Sequence, residues 1–208
     1  MHEFRLAGLC LGRQAKVKTI GHFLGTFMGG AFAGRFLLLT GSAAMLGAFP
    51  AEGRPQEESG WIGHPAPEIS AGEWLNSPPM LLSGLRGKVV LLEFWTFACS
   101  NCRNTLPYLR KWNTIRAGGK FEIIGVHTPE LKRERDIAAL RRETESLGIT
   151  WPIVTDNEYT TWNAYHQHYW PVIYLIDKRG AIRYIHIGEG EYAQTEAKIA
   201  ELIAEPNR

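Results

Sequence analysis

Cysteine is scarce in this chain. There are three in 208 residues, and Cys10 falls in an N-terminal leader, so the body holds only Cys99 and Cys102. Small secreted domains held by disulfides carry more bridges closing longer loops, and that class is excluded. No second Cys or His pair at ligand spacing accompanies the two cysteines. A closed zinc site needs four ligands, so no metal site is expected. His166 and His168 read as surface or packing histidines. An excess of one charge is also lacking in the body. Residues 1–51 hold five basic residues against Glu3 alone, which leaves 18 basic and 20 acidic residues for the rest. A near-neutral body has no electrostatic footprint for nucleic acid. No internal repeat and no low-complexity segment is present.

The leader is distinctive. Phe23 to Phe49 is apolar or small apart from Arg35, and Phe36–Phe49 has the length of a signal-peptide hydrophobic region. Ala48 and Ala51 are small residues near a cleavage point. Counted from Met1 the preceding region is too long for an ordinary signal, whereas a start at Met28 gives a short basic one ending at Arg35. The alternative is an uncleaved anchor, since Phe23–Phe49 supplies the roughly 20 apolar residues a span needs if Arg35 sits at one edge. Either way the expectation is an exported, periplasmic or otherwise extracytoplasmic protein, free or membrane-anchored. The expected organisation is a signal or anchor segment over 1–51, a polar linker rich in helix breakers over 52–60, and one folded domain over 61–208.

Within that domain strand and helix patterns alternate. Val89–Trp95 and Phe121–His127 are near-continuous apolar runs, as strands buried on both faces are. Cys99–Arg116 fits a helix ended by Gly118-Gly119. Leu131–Leu147 reads as a charged amphipathic helix with a solvated Arg/Glu face. Trp151–Val154 is a short strand and Tyr159–Tyr165 a short helix, with Trp162 and Tyr165 as core aromatics. Val172–Ile176 and Ile182–Ile187 flank a turn and form a hairpin. Glu191–Ala204 closes the chain as a helix. This order predicts an α/β fold: a central mixed sheet with helices on both faces, then a C-terminal hairpin and helix.

The chemistry concentrates at Glu93-Phe94-Trp95-Thr96-Phe97-Ala98-Cys99-Ser100-Asn101-Cys102. A buried-strand pattern runs straight into a C-x-x-C pair where a helix starts, and two thiols so spaced close and reopen a small disulfide. A four-residue loop constrains the unfolded chain little, so structure alone is a poor reason for the bridge. A helix start offers unpaired N–H groups and the positive end of the dipole, which favour a thiolate. Cys99, the more exposed, is the expected nucleophile, and Cys102, one turn on, the resolving thiol. Glu93 is a carboxylate in an apolar strand. Burial should raise its pKa toward the range of a general acid/base that serves the resolving thiol. Trp170-Pro171 precedes the strand Val172–Ile176 and marks a strand start or a cis turn. His127 reads as a packed or surface histidine at the end of its strand.

Together these features resemble the thioredoxin superfamily. Trp95 to Tyr108, Gly125–Glu130, Thr161–Tyr165, Tyr169–Pro171 and Asp177–Tyr192 are similar to the thioredoxin-like domain of the DipZ group and its TlpA-like relatives. The resemblance covers about residues 60–205. It implies a thioredoxin-like fold and an extracytoplasmic thiol–disulfide oxidoreductase without cofactor that acts on protein thiols and disulfides. It also implies a cis Pro171, a groove lined by Trp170 whose backbone pairs with an extended partner strand, and Trp95 packed near the site. The intervening dipeptide is Ser100-Asn101, not the Gly-Pro of ordinary thioredoxins, so the direction of electron flow is open. The multi-span membrane domain of some relatives does not precede this module, so electrons would come from a separate membrane donor. Two alternatives remain. Thr96-x-x-Cys99 resembles a peroxiredoxin-like thiol peroxidase, although Leu92 stands where its proline would. A non-enzymatic copper carrier of the same fold would resemble C-x-x-x-C plus a distant His, and the spacing here is C-x-x-C.

Overall fold

The computed structural model describes residues 59–70 and 72–207. The expected signal or anchor segment and most of the expected linker lie outside the described residues. Six strands, β1 (Trp74–Leu75), β2 (Val89–Trp95), β3 (Phe121–His127), β4 (Ile153–Thr155), β5 (Val172–Ile176) and β6 (Ile182–Ile187), form one sheet in the order β1-β4-β3-β2-β5-β6. β2 pairs in parallel with β3 and antiparallel with β5, and β3 pairs in parallel with β4. Every residue of β2 and β3 is buried, which explains why these runs lack polar–apolar alternation.

Alternation within the sheet instead sorts side chains between two cores. Val89, Leu91 and Trp95 of β2 face the helices α1 (Ser100–Asn113), α2 (Ile137–Ser146) and α4 (Tyr192–Ala204) through Leu109, Leu140 and Ile199. Val90, Leu92 and Phe94 face the opposite side, which α3 (Thr160–Ala164) and the segment before β2 cover. There Phe94 meets Trp162, Tyr165 and Tyr174 edge-on, with ring centroids 5.2–6.0 Å apart. Edge-to-face contacts of this kind suit the ring quadrupoles. Trp162 and Tyr165 are therefore core aromatics, at 8% and 1% exposure. The mixed sheet with helices on both faces and the closing hairpin and helix match the predicted class. Among the described residues no helix is long and apolar enough to cross a membrane.

Two predicted elements are corrected. The single helix over Leu131–Leu147 is two pieces, a 3-10 turn at Lys132–Arg135 and then α2. Asp136 between them is extended, and its carboxylate accepts the Ala138 N–H at 2.9 Å. A new N-cap therefore interrupts the run. Glu134 in the first piece is not on a solvated face: it is 1% exposed. The predicted strand Trp151–Val154 is also shifted, because only Ile153–Thr155 pair with β3 and the short β1.

Gly125 lies opposite Glu93 in the β2–β3 register. A Cβ there would sit 2.5 Å from Ile153 Cδ1 and 2.8 Å from Trp95 Nε1, so glycine makes room for the Trp95 indole beneath the reactive end of the sheet. Gly125→Ala should lower the stability to urea denaturation by about 1–3 kcal/mol, the usual cost of overpacking. An unchanged midpoint would contradict this account of the close approach.

Candidate active site

β2 ends at Trp95, α1 begins at Ser100, and the turn Thr96–Cys99 joins them. Cys99 is the N-cap of α1 in an extended conformation, and its Sγ accepts the Cys102 N–H at 3.1 Å. The sulfur thus serves one of the donors that every helix start leaves unpaired. Cys99 and Cys102 are joined as a disulfide with Cα atoms 5.3 Å apart. Cys99 is half-buried, whereas Cys102 is 1% exposed. Only one sulfur of the bridge is open to attack from outside.

Glu93 lies on the α1 face of the central strand, 1% exposed. Burial pushes its pKa up to about 8, against the lowering effect of a hydrogen bond from Thr105. Thr105 Oγ1 is 2.9 Å from Glu93 Oε1 and 2.7 Å from the Cys102 carbonyl oxygen. One hydroxyl hydrogen serves one of these at a time. The Thr105 hydroxyl thus stands between the carboxyl and the Cys102 carbonyl, within donating distance of both. A carboxyl that is neutral at pH 7 therefore connects through one hydroxyl to the backbone of the buried cysteine.

The Trp170–Pro171 peptide is cis. Phe94 pairs with Val172 at the end of the β2–β5 ladder, so the cis bond stands where the chain enters β5, beside the end of β2. The Trp170 ring stacks on Trp162 with centroids 4.2 Å apart, and its Nε1 donates to the Thr128 carbonyl at 3.1 Å. Trp170 is half-buried and Tyr169 is exposed. Trp95 is 2% exposed and lies beneath the turn, edge-on to His127.

His127 is fully buried, stacked on Phe97 with centroids 5.4 Å apart. Burial pulls its pKa down to about 4 despite the neighbouring Glu134 charge, so it is neutral at pH 7. Its Nε2 lies 3.3 Å from Thr96 Oγ1. Thr96 donates its one hydrogen to Glu134 Oε1 at 2.5 Å, so His127 must donate through Nε2.

Sequence reasoning missed Glu134. Its carboxylate accepts four hydrogen bonds, from the Thr96 hydroxyl and from the N–H groups of Ala98, Glu130 and Leu131. Burial works to raise its pKa, but these donors outweigh it and hold the pKa below the ordinary glutamate value. On the other side of the turn Arg103 Nε donates to the Phe97 carbonyl at 2.8 Å. Among the described residues no group of three or more His, Cys, Asp or Glu is placed to hold a metal ion.

Comparison with known proteins places this geometry. The AhpC/TSA family model matches residues 62–185, more than half of the chain. The protein DipZ of Mycobacterium tuberculosis is 42% identical over 133 residues, covering 62% of this chain but 19% of that protein. The thiol-disulfide oxidoreductase ResA of Geobacillus kaustophilus is 32% identical over 127 residues, covering 61% of this chain and 70% of that protein. The crystal structure of a thiol-disulfide isomerase from Corynebacterium glutamicum superposes with a TM-score of 0.61 at 26% identity, covering 68% of this chain and 98% of the other.

The Glu93 shift has a consequence for stability. Unfolded, this carboxyl titrates near 4.5; folded, near 8. Between those values the folded state holds a proton that the unfolded state has released. The Glu93 contribution to stability should therefore fall as pH rises through this window, by about 1.4 kcal/mol per unit, and level off above about 8. Below about 6.5 the buried His127 contributes the opposite slope, so the net fall shows between pH 6.5 and 8, and Glu93→Gln should abolish it in urea titrations across that range. Parallel pH profiles for the two proteins would contradict the assignment.

Proposed function

The chain belongs to the AhpC/TSA family and stands among its thioredoxin-like thiol–disulfide oxidoreductases, and on that premise we propose that it exchanges disulfides with partner proteins, Cys99 attacking and Cys102 resolving. The observation that carries this reading is the asymmetry of the bridge: a half-buried Cys99 capping α1 and a buried Cys102 behind it.

In the reducing direction the Cys99 thiolate attacks one sulfur of a partner disulfide. The new bond joins Cys99 to the partner, and the partner's other sulfur leaves as a thiolate and takes a proton. The ionised form of Glu93, in equilibrium with the neutral acid near neutrality, takes the Cys102 proton, and the Cys102 thiolate attacks Cys99 Sγ. The protein disulfide forms and the second partner thiol is released. Two electrons pass from protein to partner, and the reverse sequence oxidises. Glu93, with a pKa near 8, suits the exchange of a proton near neutrality. Trp170 and Pro171 form the partner-facing edge of the site, and Trp95 supports the turn from beneath. The apolar leader supports export.

Peroxide reduction fits less well. The Thr96 hydroxyl that a thiol peroxidase would turn toward its substrate is fully buried and donates to Glu134. That supports disulfide exchange.

In an insulin-reduction assay Cys99→Ala should reduce activity to the uncatalysed rate, while Cys102→Ala should accumulate a mixed disulfide with the substrate, visible by mass. Peroxide consumption should stay at background in both variants and in the wild type. Unchanged insulin reduction by Cys99→Ala, or peroxide turnover that survives Cys102→Ser, would overturn the reading.

A further inference from the structure

The turn that carries Cys99 is gripped by two charges of opposite sign. Glu134 Oε1 binds the Thr96 hydroxyl and the Ala98 N–H, the residue immediately before Cys99. Its Oε2 binds the N–H groups of Glu130 and Leu131. Arg103 holds the intervening Phe97 carbonyl. Their surroundings differ. The Arg103 side chain is 47% exposed and also reaches Glu143 at 3.3 Å, so solvent and a counter-charge screen it. Glu134 is 1% exposed, and no Lys or Arg among the described residues pairs with it. Among the described residues, the other titratable groups near the turn include Glu93 and His127, both neutral at pH 7, Asp156, which binds Thr128 and the first N–H groups of α3, and, on the segment that Glu134 caps, the exposed Glu130 and the Arg135 over Tyr159. Glu134 thus sets an anion, with no cation paired to it among the described residues, on the residue next to the nucleophile, and its sign opposes that of the helix start.

We propose that Glu134 is a positioning residue whose fixed anion locks the Thr96–Ala98 turn and keeps the Cys99 thiol less acidic than the start of α1 alone would make it, biasing the couple toward the disulfide and the protein toward reducing its partners. This deepens the exchange reading above and rests on it. A negative charge near a thiolate destabilises it. The dithiol form then loses the stabilisation that makes strongly oxidising proteins of this chemistry give up their disulfide.

The test uses reduced protein, with Cys99 acidity read from the pH dependence of iodoacetamide alkylation. The disulfide equilibrium is read against glutathione: protein disulfide plus two glutathione thiols giving protein dithiol plus glutathione disulfide. Glu134→Gln removes the charge and should lower the Cys99 pKa by about one unit. It should shift the equilibrium toward the dithiol by up to about tenfold, or about 30 mV. Thr96→Val strips one donor from the carboxylate and leaves its charge, so it should raise the Cys99 pKa or leave it in place. A purely structural role would lower the melting temperature of both variants without moving thiol acidity in opposite senses. Unchanged acidity in Glu134→Gln, or a Cys99 pKa that falls together in both variants, overturns the proposal. If Glu134→Gln does not fold, Thr96→Val decides alone, and a fall in its Cys99 pKa is the contrary result. A wild type that exchanges disulfides while Glu134→Gln keeps its acidity sinks this inference only. A wild type without exchange sinks the function itself.

Discussion

Four residues, Thr96 to Cys99, must convert a fully buried strand into a helix, and every backbone group exposed by that change needs a partner. Leaving such groups buried and unpaired is costly. Each partner found here belongs to the chemistry. The Trp95 carbonyl takes the Thr128 N–H, and the Cys99 N–H returns to the Thr96 carbonyl. Glu134 takes the Ala98 N–H, Arg103 serves the Phe97 carbonyl, and the Cys99 sulfur takes the Cys102 N–H. The same bonds that let the chain turn also fix where the reactive sulfur points. The Trp170 indole on the Thr128 carbonyl ties the cis-proline edge to this arrangement.

Two glutamates flank the turn with nearly identical exposure and opposite titration. Glu93 has a single hydroxyl donor against complete burial, and the neutral acid wins. Glu134 has four donors, three of them backbone N–H groups that do not reorganise, and the anion wins. Deeper desolvation with one donor favours the neutral acid at Glu93, and weaker desolvation with four donors favours the anion at Glu134. One carboxyl is thereby kept ready to trade a proton near neutrality, and the other is a permanent charge.

Much of this was legible in the sequence because the signals were local. Val89–Trp95 and Phe121–His127 are too apolar to be anything but central strands, and Cys99-Ser100-Asn101-Cys102 follows the first directly. The hairpin β5–β6 was marked by its turn. Glu134 was invisible for a physical reason. It sits among Lys132, Arg133 and Arg135, where charge patterning predicts a solvated face. Its inward aim is set by donors 36 and 38 residues earlier in the chain. The signal that was available is Asp136, an N-cap residue inside a supposed helix, which marks the break that frees Glu134 to turn in. β1 was missed because two residues, Trp74 and Leu75, carry no period.

The account depends on the two sulfurs being chemically unequal in the folded protein. Brief alkylation of the reduced protein at neutral pH, followed by peptide mass analysis, measures that inequality directly. Label should accumulate on Cys99 well ahead of Cys102, and Cys102 should react freely only after denaturation. Equal labelling of the two in the native state, or Cys102 reacting first, would contradict the arrangement described.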